Sequence, residues 1–311
     1  TGPSLFELSE SEPCRIAHSG SCEDTANPII HAGDVTDTSA VFVADPFVVF
    51  DDARFWLFFE VLPADMRGVI AVASCSASDI AQWQYHRVVI DEAGTHLSFP
   101  YVFKHSSSWY MTVEAHQAAC VPLYKAVQFP YVWDKLPCLL TGATFQDNAL
   151  LLHGGIWWLW TTTEMLPSKW QQHLYFSKHL EGPYRQHPRS PVVRAQTSTQ
   201  PHFGCARGRL GGRLMEVPVR ETSQGTSRSL LLRFAQATAP RYGERLDAWI
   251  VTELTVTDYQ ERWAGPVLLG RSNGQAGRSA DQDLWGGSAT DMAETLGGVS
   301  QNLQRYLLLE M

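Results

Sequence analysis

Short apolar runs separated by short polar turns make up most of the chain. Three segments share one plan, in which an apolar run, a polar turn, an aromatic pair and a second apolar run follow one another, as in β-hairpins. They are residues 44–60, 98–114 and 146–162. The plan recurs at a spacing of about 50 residues, which is the size of a propeller blade.

Two further apolar segments follow each hairpin, so that each repeat supplies four antiparallel strands. The sequence therefore predicts an all-β fold, namely a five-bladed β-propeller with four-stranded antiparallel blades. After an N-terminal extension (1–26), the propeller is expected over 27–311, with blades at about 41–91, 97–140, 145–193, 200–269 and 280–311. A β-sandwich would not need such a repeat, and an α/β fold would need helices between the strands.

Acidic residues stand at the ends of these hairpins, where buried strands ordinarily carry Val or Ile. Because the start of the first strand lies beside the end of the second, Asp45 and Glu60 are expected on one rim of the central channel. Equivalent positions in the next two hairpins hold Phe99, Glu114 and Asp147. Carboxylates that share a partly buried cleft perturb one another's pKa, and acid/base chemistry on sugars uses such pairs. Each carboxylate alone is equally explained by a structural role at a strand end.

Three further residues are candidates near this rim. His96 precedes the second inner strand and is as well explained by a satisfied loop histidine as by a ligand-binding one. Arg207 and Arg209 precede the fourth hairpin. An Arg there suits an anionic group, and Arg207 is placed among the substrate-binding candidates, although solvated surface is the preferred interpretation for the pair.

Composition narrows the function classes. The net charge of −8 argues against a nucleic-acid backbone partner. No apolar run reaches the roughly 18 residues of a membrane span, so no integral membrane segment is expected. None of the six cysteines forms a CxxC pair, so no zinc site is predicted, and no metal or cofactor is expected. The cysteines are interpreted either as free thiols or as including a Cys14–Cys22 bridge.

The segments "VADPFVVF…FWLFFEV", "HLSFPYVF…WYMTVEA", "LYKAVQFPYVW" and "WWLW" resemble a known family. It is the glycoside hydrolase family 43-like five-bladed propeller that forms the N-terminal domain of glucosamine inositolphosphorylceramide transferases and accompanies formyltransferase-type domains in bacteria. The resemblance implies that Asp45 takes the position of an Asp base and Asp147 that of a Glu acid, while Phe99 stands where a further Asp is usual. Near the fifth blade, where the transferase relatives carry a His-His pair, this chain keeps Asp291.

Three functions compete. The favoured one is a carbohydrate-recognising propeller that acts as a substrate-binding or accessory domain in glycan or glycolipid biosynthesis. The second is an active inverting glycosidase or transglycosylase, with Asp45 as base and Asp147 or Glu114 as acid. The third is a scaffold that binds a protein on its rim. Whether the chain is an enzyme is left open by the sequence.

The expected ligand is a carbohydrate or a glycolipid headgroup, and Glu60, His96, Asp291 and Arg207 are the predicted substrate-binding residues. A glycosyltransferase domain or subunit is the expected protein partner. Because the chain begins at Thr1, we expect a processed or trimmed product. The sequence leaves the compartment open, with the secretory lumen or the extracellular space slightly favoured over the cytoplasm.

Overall fold

The computed structural model describes residues 29–166, 169–194, 208–220, 227–236 and 246–267. Within these ranges the chain forms four antiparallel sheets of four strands each, and in every sheet the strands follow one another in sequence order. This arrangement confirms the all-β propeller with four-stranded antiparallel blades. Short 3₁₀ turns lie at Ala32–Asp34 and His116–Ala118.

The four blades follow one another along the chain. The first contains β1 (Ala40–Asp51), β2 (Arg54–Pro63), β3 (Val69–Ser76) and β4 (Asp79–Ile90). The second contains β5 (Leu97–His105), β6 (Ser108–Ala115), β7 (Cys120–Gln128) and β8 (Val132–Thr141). The third contains β9 (Gln146–His153), β10 (Ile156–Leu166), β11 (Lys169–Ser177) and β12 (Arg185–Gln186). The fourth contains β13 (Met215–Arg220), β14 (Ser227–Gln236), β15 (Leu246–Leu254) and β16 (Tyr259–Pro266).

The number of blades differs from the prediction. The described residues hold four blades rather than five. The fifth was predicted at 280–311 from short apolar runs near the end of the chain, and this interval lies outside the described residues. Apolar runs alone do not distinguish a further blade from other kinds of structure.

The inner hairpin of each of the first three blades closes through a two-residue turn with positive φ at both residues. The turn residues are Asp52 and Ala53, Ser106 and Ser107, and Gly154 and Gly155. Positive φ at both central positions is the type I′ geometry, whose twist matches that of the flanking strands. The three hairpins therefore share one register, and their inner strands β1, β5 and β9 pack side by side.

The middle strands of the blades are buried on both faces because each blade packs against its neighbours. Residues 57–62 of β2 and 69–75 of β3 are buried without a break. In the third blade Trp158 and Trp160 are 2% and 0% exposed and belong to a core that extends into the second and fourth blades. Most of the tryptophans in this core act as wedges between blades, which leaves few of them for a ligand.

The cysteine prediction needs correction. Cys120 and Cys138 form a disulfide between β7 and β8, with their Cα atoms 6.0 Å apart. The interpretation of six free thiols is therefore wrong, because the hairpin register brings together two cysteines that are 18 residues apart in sequence. Cys75 is free and buried, and burial raises the pKa of its thiol to about 11. Cys14 and Cys22 lie outside the described residues.

In the part of the chain that the structure describes, no helix is long and apolar enough to cross a membrane.

Candidate functional site

The same backbone irregularity occurs at one position in each of the first three inner strands. Asp45, Phe99 and Asp147 have φ values of 49°, 49° and 50°, and the pairing with the second strand shifts register at each of them. Such bulges re-aim a side chain, and a left-handed residue other than Gly costs of order 1–3 kcal/mol. Three equivalent bulges therefore direct Asp45, Phe99 and Asp147 in a similar way at the same end of the three inner hairpins.

The structure brings the four predicted carboxylates together at this end. The charges of Glu60, Glu114 and Asp147 all act on Asp45. Glu60, Glu114 and Asp147 are 5%, 8% and 1% exposed, and Asp45 is half-buried. We call Asp45, Glu60, Glu114 and Asp147 the acidic cluster. Its members come from four strands in three blades, so the cluster exists only when the blades are assembled.

Asp147 is held by an arginine. Arg209 donates from Nε to Asp147 Oδ2 at 2.5 Å and from Nη2 to Asp147 Oδ1 at 2.7 Å, so both carboxylate oxygens are occupied. The Arg209 guanidinium also lies 5.6 Å from the ring centre of Trp170, and its side chain is only 12% exposed. A bidentate pair of this kind fixes the orientation of the carboxylate as well as its charge.

Glu60 is paired with His96. His96 Nε2 lies 3.1 Å from Glu60 Oε1, and the Gly68 N–H donates to His96 Nδ1 at 3.0 Å. Because Nδ1 accepts, the proton of the neutral ring lies on Nε2, facing Glu60. A Cβ at residue 68 would lie 2.5 Å from the carbonyl oxygen of Leu97 and 2.9 Å from Glu60 Oε1. Only glycine fits there, so this close approach holds His96 against Glu60.

The second strand of each of the first three blades ends in a side chain that contacts the next blade. Glu60, Glu114 and Thr162 pair across the hairpin with Ala44, Ser98 and Gln146, respectively. Glu60 contacts His96, at the start of the second blade, and Glu114 accepts the Asp147 N–H in the third blade at 3.2 Å. Thr162 Oγ1 donates to the carbonyl oxygen of Gly208, ahead of the fourth blade, at 2.8 Å. The carboxylates therefore join blades as well as line the channel.

Two carboxyl groups in the cluster bind protons unusually strongly. Burial, followed by the charges of Glu60, Asp147 and Glu114, raises the pKa of Asp45 to about 8, although Arg209 opposes the shift. Burial and the charge of Asp147 raise the pKa of Glu114 to about 7. The Asp45 carboxylate also accepts the Phe99 N–H at 3.2 Å. Carboxyl groups that keep protons near neutral pH are typical of functional sites.

These pKa shifts predict a pH-dependent stability. Between the ordinary pKa of a carboxyl group and the raised values of Asp45 and Glu114, the folded chain holds protons that the unfolded chain has released. Their contribution to the free energy of unfolding therefore falls as the pH rises from about 4 to about 8, and it is constant above that range. We expect Asp45→Asn to remove on the order of 2 kcal/mol of this pH dependence, measured by urea unfolding at a series of pH values.

Comparing Asp45→Asn with the wild-type protein separates the contribution of Asp45 to the pH dependence from the contributions of the histidines. The hydrogen bond to Glu60 raises the pKa of His96, which adds to the loss of stability with rising pH. Burial lowers the pKa of His86 and His173, which acts in the opposite direction below their ordinary pKa. These contributions are common to both proteins and cancel in the difference. Parallel stability curves for wild type and Asp45→Asn would contradict the prediction.

The layer next to the acidic cluster along the channel is aromatic. Phe99 packs edge-on against Phe47, with ring centres 4.8 Å apart. The Arg213 guanidinium lies 4.9 Å from the ring centre of Tyr101 and 5.8 Å from that of Phe47.

The structure describes one of the three remaining candidate residues and leaves the other two outside its described ranges. Arg207 and Asp291 lie outside the described residues. Arg209 was expected on solvated surface, and the structure instead pairs it with Asp147. The sequence feature that could have predicted this pairing is the position of Arg209 just before the fourth blade, at the end of the sheets where the strand of Asp147 begins. The catalytic and binding roles assigned to the residues of the cluster stay predictions.

Over the described ranges, no group of three or more His, Cys, Asp or Glu side chains is arranged to hold a metal ion.

Comparison with known proteins places this fold and site in a family. The family model described as glucosamine inositolphosphorylceramide transferase 1, N-terminal, matches residues 1–288. The chain belongs to this family. The glucosamine inositolphosphorylceramide transferase 1 of Oryza sativa subsp. japonica is 31% identical over 261 residues, covering 82% of this chain and 32% of the relative. The protein of the same name from Arabidopsis thaliana is 28% identical over 267 residues.

The chain thus spans about a third of the length of the curated relatives that it matches, with 32% covered in each. The match to the glucosamine inositolphosphorylceramide transferase 1 N-terminal family includes all three bulged hairpins and the segment that carries Arg209. The activity of the full-length relatives is a property of a much longer protein.

Solved structures with similar folds are glycan-acting enzymes. An exo-β-1,3-galactanase from Clostridium thermocellum has a TM-score of 0.53 at 14% identity, covering 70% of this chain and 48% of the enzyme. The levansucrase of Bacillus subtilis has a TM-score of 0.54 at 9% identity, covering 72% of this chain and 69% of the enzyme. At these identities the likeness shows the propeller fold of this N-terminal family and nothing about its chemistry.

Proposed function

We propose that this chain is a carbohydrate-recognising propeller that serves as a substrate-binding or accessory domain in glycan or glycolipid biosynthesis. The observation that carries the proposal is the acidic cluster at one end of the channel, in a chain of the glucosamine inositolphosphorylceramide transferase 1 N-terminal family. Carboxylates accept hydrogen bonds from sugar hydroxyl and amino groups, and a partly buried cleft strengthens those bonds. A glycosyltransferase domain or subunit is the partner that this role implies.

The charge of the site favours one of the two chemical groups in the relatives' name, the sugar or the phosphorylated lipid headgroup, over the other. Their name joins glucosamine, which carries an amino group, to inositolphosphorylceramide, which carries a phosphate. Four carboxyl groups stand with Arg209 and the titratable His96 at this site. Asp45 and Glu114 hold protons near neutral pH. Arg209 is already paired with Asp147, so the site offers no excess positive charge to a phosphate group. We therefore propose the sugar, rather than the phosphorylated headgroup, as the ligand of the acidic cluster.

Binding measurements with glucosamine test this proposal. We expect Asp45→Asn and Glu114→Gln each to weaken binding about tenfold or more, because a hydrogen bond to a charged group contributes about 1.5–3 kcal/mol. The matched control is Asp51→Asn, since Asp51 stands at the turn end of the same strand as Asp45 and pairs with Lys104. Isothermal titration calorimetry gives the affinities. Equal affinity in all four proteins would contradict the proposal.

A second candidate is an inverting glycosidase or transglycosylase, and the proton-holding carboxyl groups favour it. Such enzymes need a carboxylic acid that is protonated near neutral pH, opposite a carboxylate base. Glu114, with a pKa of about 7, suits the acid better than Asp147, whose two oxygens accept from Arg209. Asp45, with a pKa of about 8, would be a base only in alkaline solution. Turnover of aryl-glycosides by wild type that Glu114→Gln loses would favour this candidate.

A further inference from the structure

A short loop of the second blade lies next to the acidic cluster. It consists of residues 116–119, joins β6 to β7 and begins shortly after Glu114, and we call it the rim loop. The side-chain oxygen of Gln117 in this loop accepts the His96 N–H at 2.8 Å. His96 in turn faces Glu60, with its Nε2 atom 3.1 Å from Oε1. The position of the rim loop therefore affects the histidine that pairs with one carboxylate of the cluster.

The backbone at the β7 end of the rim loop is incompletely paired. In the described part of the chain, β6 pairs with β7 through residues 110–112 and 123–125, which leaves the first three residues of β7 outside this ladder. The ladder between β7 and β8 is interrupted at Pro122, which has no N–H to donate and stands opposite residues 137–139. Ala119 has a φ of 48°, an unfavourable conformation for a residue other than Gly. Further contacts are therefore needed to hold the loop in this conformation.

The Cys120–Cys138 disulfide spans the interruption. Cys120 is the first residue of β7, and Cys138 belongs to the three residues of β8 that interrupt the ladder. Beyond them, Cys120 pairs with Thr141, and the Gly142 N–H donates to the carbonyl oxygen of Ala119 at 2.9 Å. The covalent bond thus attaches the end of the rim loop to the outermost strand of the blade, at the place where backbone hydrogen bonding to both neighbouring strands is incomplete.

We propose that the Cys120–Cys138 disulfide is a redox-sensitive tie that holds the rim loop, and through Gln117 holds His96, in place at the acidic cluster. The inference concerns the regulation of the proposed binding site, and it rests on the proposed function only for its effect on a ligand. The tie itself is a property of the ligand-free chain, so it is tested without a ligand.

Reduction of the bond requires a dithiol. Cys120 is 7% exposed and Cys138 is partly exposed, so a thiolate of the dithiol attacks the sulfur of Cys138. The S–S bond breaks, and Cys120 leaves as a thiolate that takes a proton from solvent. The second thiolate of the dithiol then attacks the mixed disulfide, and Cys138 leaves and is protonated in the same way. Two electrons pass to the protein, and the dithiol is oxidised to a cyclic disulfide.

Reduction is expected to loosen His96 in the folded chain. Without the tie, the rim loop leaves the left-handed conformation at Ala119, and Gln117 no longer accepts the His96 N–H. We expect the His96 amide proton to exchange with solvent about fivefold faster, a factor typical of the loss of one hydrogen bond. The hydrogen bond with Glu60 raises the pKa of His96, so this pKa is expected to fall toward its ordinary value when the ring is released.

Hydrogen exchange and histidine titration by NMR, each with and without dithiothreitol, measure these effects. A thiol assay verifies that reduction has exposed the two cysteines of the bond. The amide of Leu159, which is paired on both sides in the core of the third blade, reports global opening. Its exchange is expected to change far less than that of His96.

Two variants separate the bond from the loop contact. The double variant Cys120→Ser/Cys138→Ser is expected to match the reduced chain and to be insensitive to dithiothreitol. Gln117→Met keeps the bond but loses the acceptor, so it is expected to show fast exchange at His96 with the disulfide intact. Because Gln117 is exposed, this variant is expected to remain folded.

Each outcome decides the proposal. A reduced and folded chain in which the exchange and the pKa of His96 are unchanged overturns it, and so does wild-type exchange in Gln117→Met. Loss of the folded spectrum on reduction also overturns it, because the bond then supports the whole chain rather than the rim loop. Carbohydrate binding is measured separately on the oxidised chain. If no carbohydrate binds there, the proposed function fails while the tie stands on its own measurements.

Discussion

Replacing Arg233 with methionine is expected to destabilise the chain by about 3–5 kcal/mol, because it leaves a buried carboxylate without its partner. Arg233 is 0% exposed and donates to both oxygens of Glu261, each at 2.7 Å. The Tyr259 hydroxyl donates to the same carboxylate at 2.6 Å. These contacts join β14 to β16 across β15, so the fourth blade loses a buried side-chain link between two of its strands when the cation is removed. Chemical denaturation measures the change in the free energy of unfolding.

An exposed ion pair of the same type provides the control. Arg189 donates to Asp258 at 2.7 Å, but its side chain is 65% exposed. Arg189→Met is therefore expected to cost far less than Arg233→Met, as is usual for a solvent-screened surface pair. A loss of the same small size in Arg233→Met would show that the buried pair contributes no more than a surface pair. The explanation given for the fourth blade would then be wrong.

The repeated hairpins are the part of the structure that the sequence predicts well. Alternation of apolar runs with two-residue turns determines the register, and register determines which residues meet at a strand end. Asp45 and Asp147 could therefore be assigned to equivalent positions by counting from the aromatic pairs. The left-handed bulge at each of them could not be predicted, because neither Asp nor Phe requires a positive φ, and the pairing of a whole hairpin determines where an extra residue is placed.

The contacts between blades escaped prediction for a different reason. Arg209 lies in an irregular segment before the fourth blade, and hydrophobic periodicity carries no information about such a segment. Its pairing with Asp147 depends on the distance between two blades, as the Cys120–Cys138 bridge depends on the register of one hairpin. Sequence reasoning therefore found the carboxylates and missed the cation that compensates one of them. That cation opposes the rise in the pKa of Asp45 and Glu114.

The acidic cluster serves the fold and the candidate binding site with the same side chains. Glu60 and Glu114 reach the next blade while they also act electrostatically on Asp45. Truncation of either residue would therefore disturb the blade contact together with the charge. Amide replacements keep the size and the hydrogen-bond acceptor, so they change the charge with the least disturbance of the blade contact. Asn and Gln variants are therefore the suitable substitutions for the carboxylates of the cluster.

Removal of Arg209 is expected to have the second large effect, on stability and on ligand binding together. Arg209→Met leaves Asp147, with a side chain only 2% exposed, without its bidentate partner. We expect a loss of about 3 kcal/mol in the free energy of unfolding, since a buried charge becomes uncompensated. Glucosamine binding is expected to weaken as well, because loss of the Arg209 charge raises the proton affinity of Asp45 and Glu114 further, and protonated carboxyl groups pair less strongly with an ammonium group.

A double-mutant cycle with Asp147→Asn separates the ion pair from the rest of the contact. In the Asp147→Asn background no carboxylate is left unpaired, so Arg209→Met is expected to cost much less there, with a coupling energy of about 2 kcal/mol. Packing of Arg209 on Trp170 is lost in both backgrounds and cancels. Additive losses in the two single variants would mean that Arg209 acts through packing alone. The charge balance inferred for the acidic cluster would then lack the cation on which it depends.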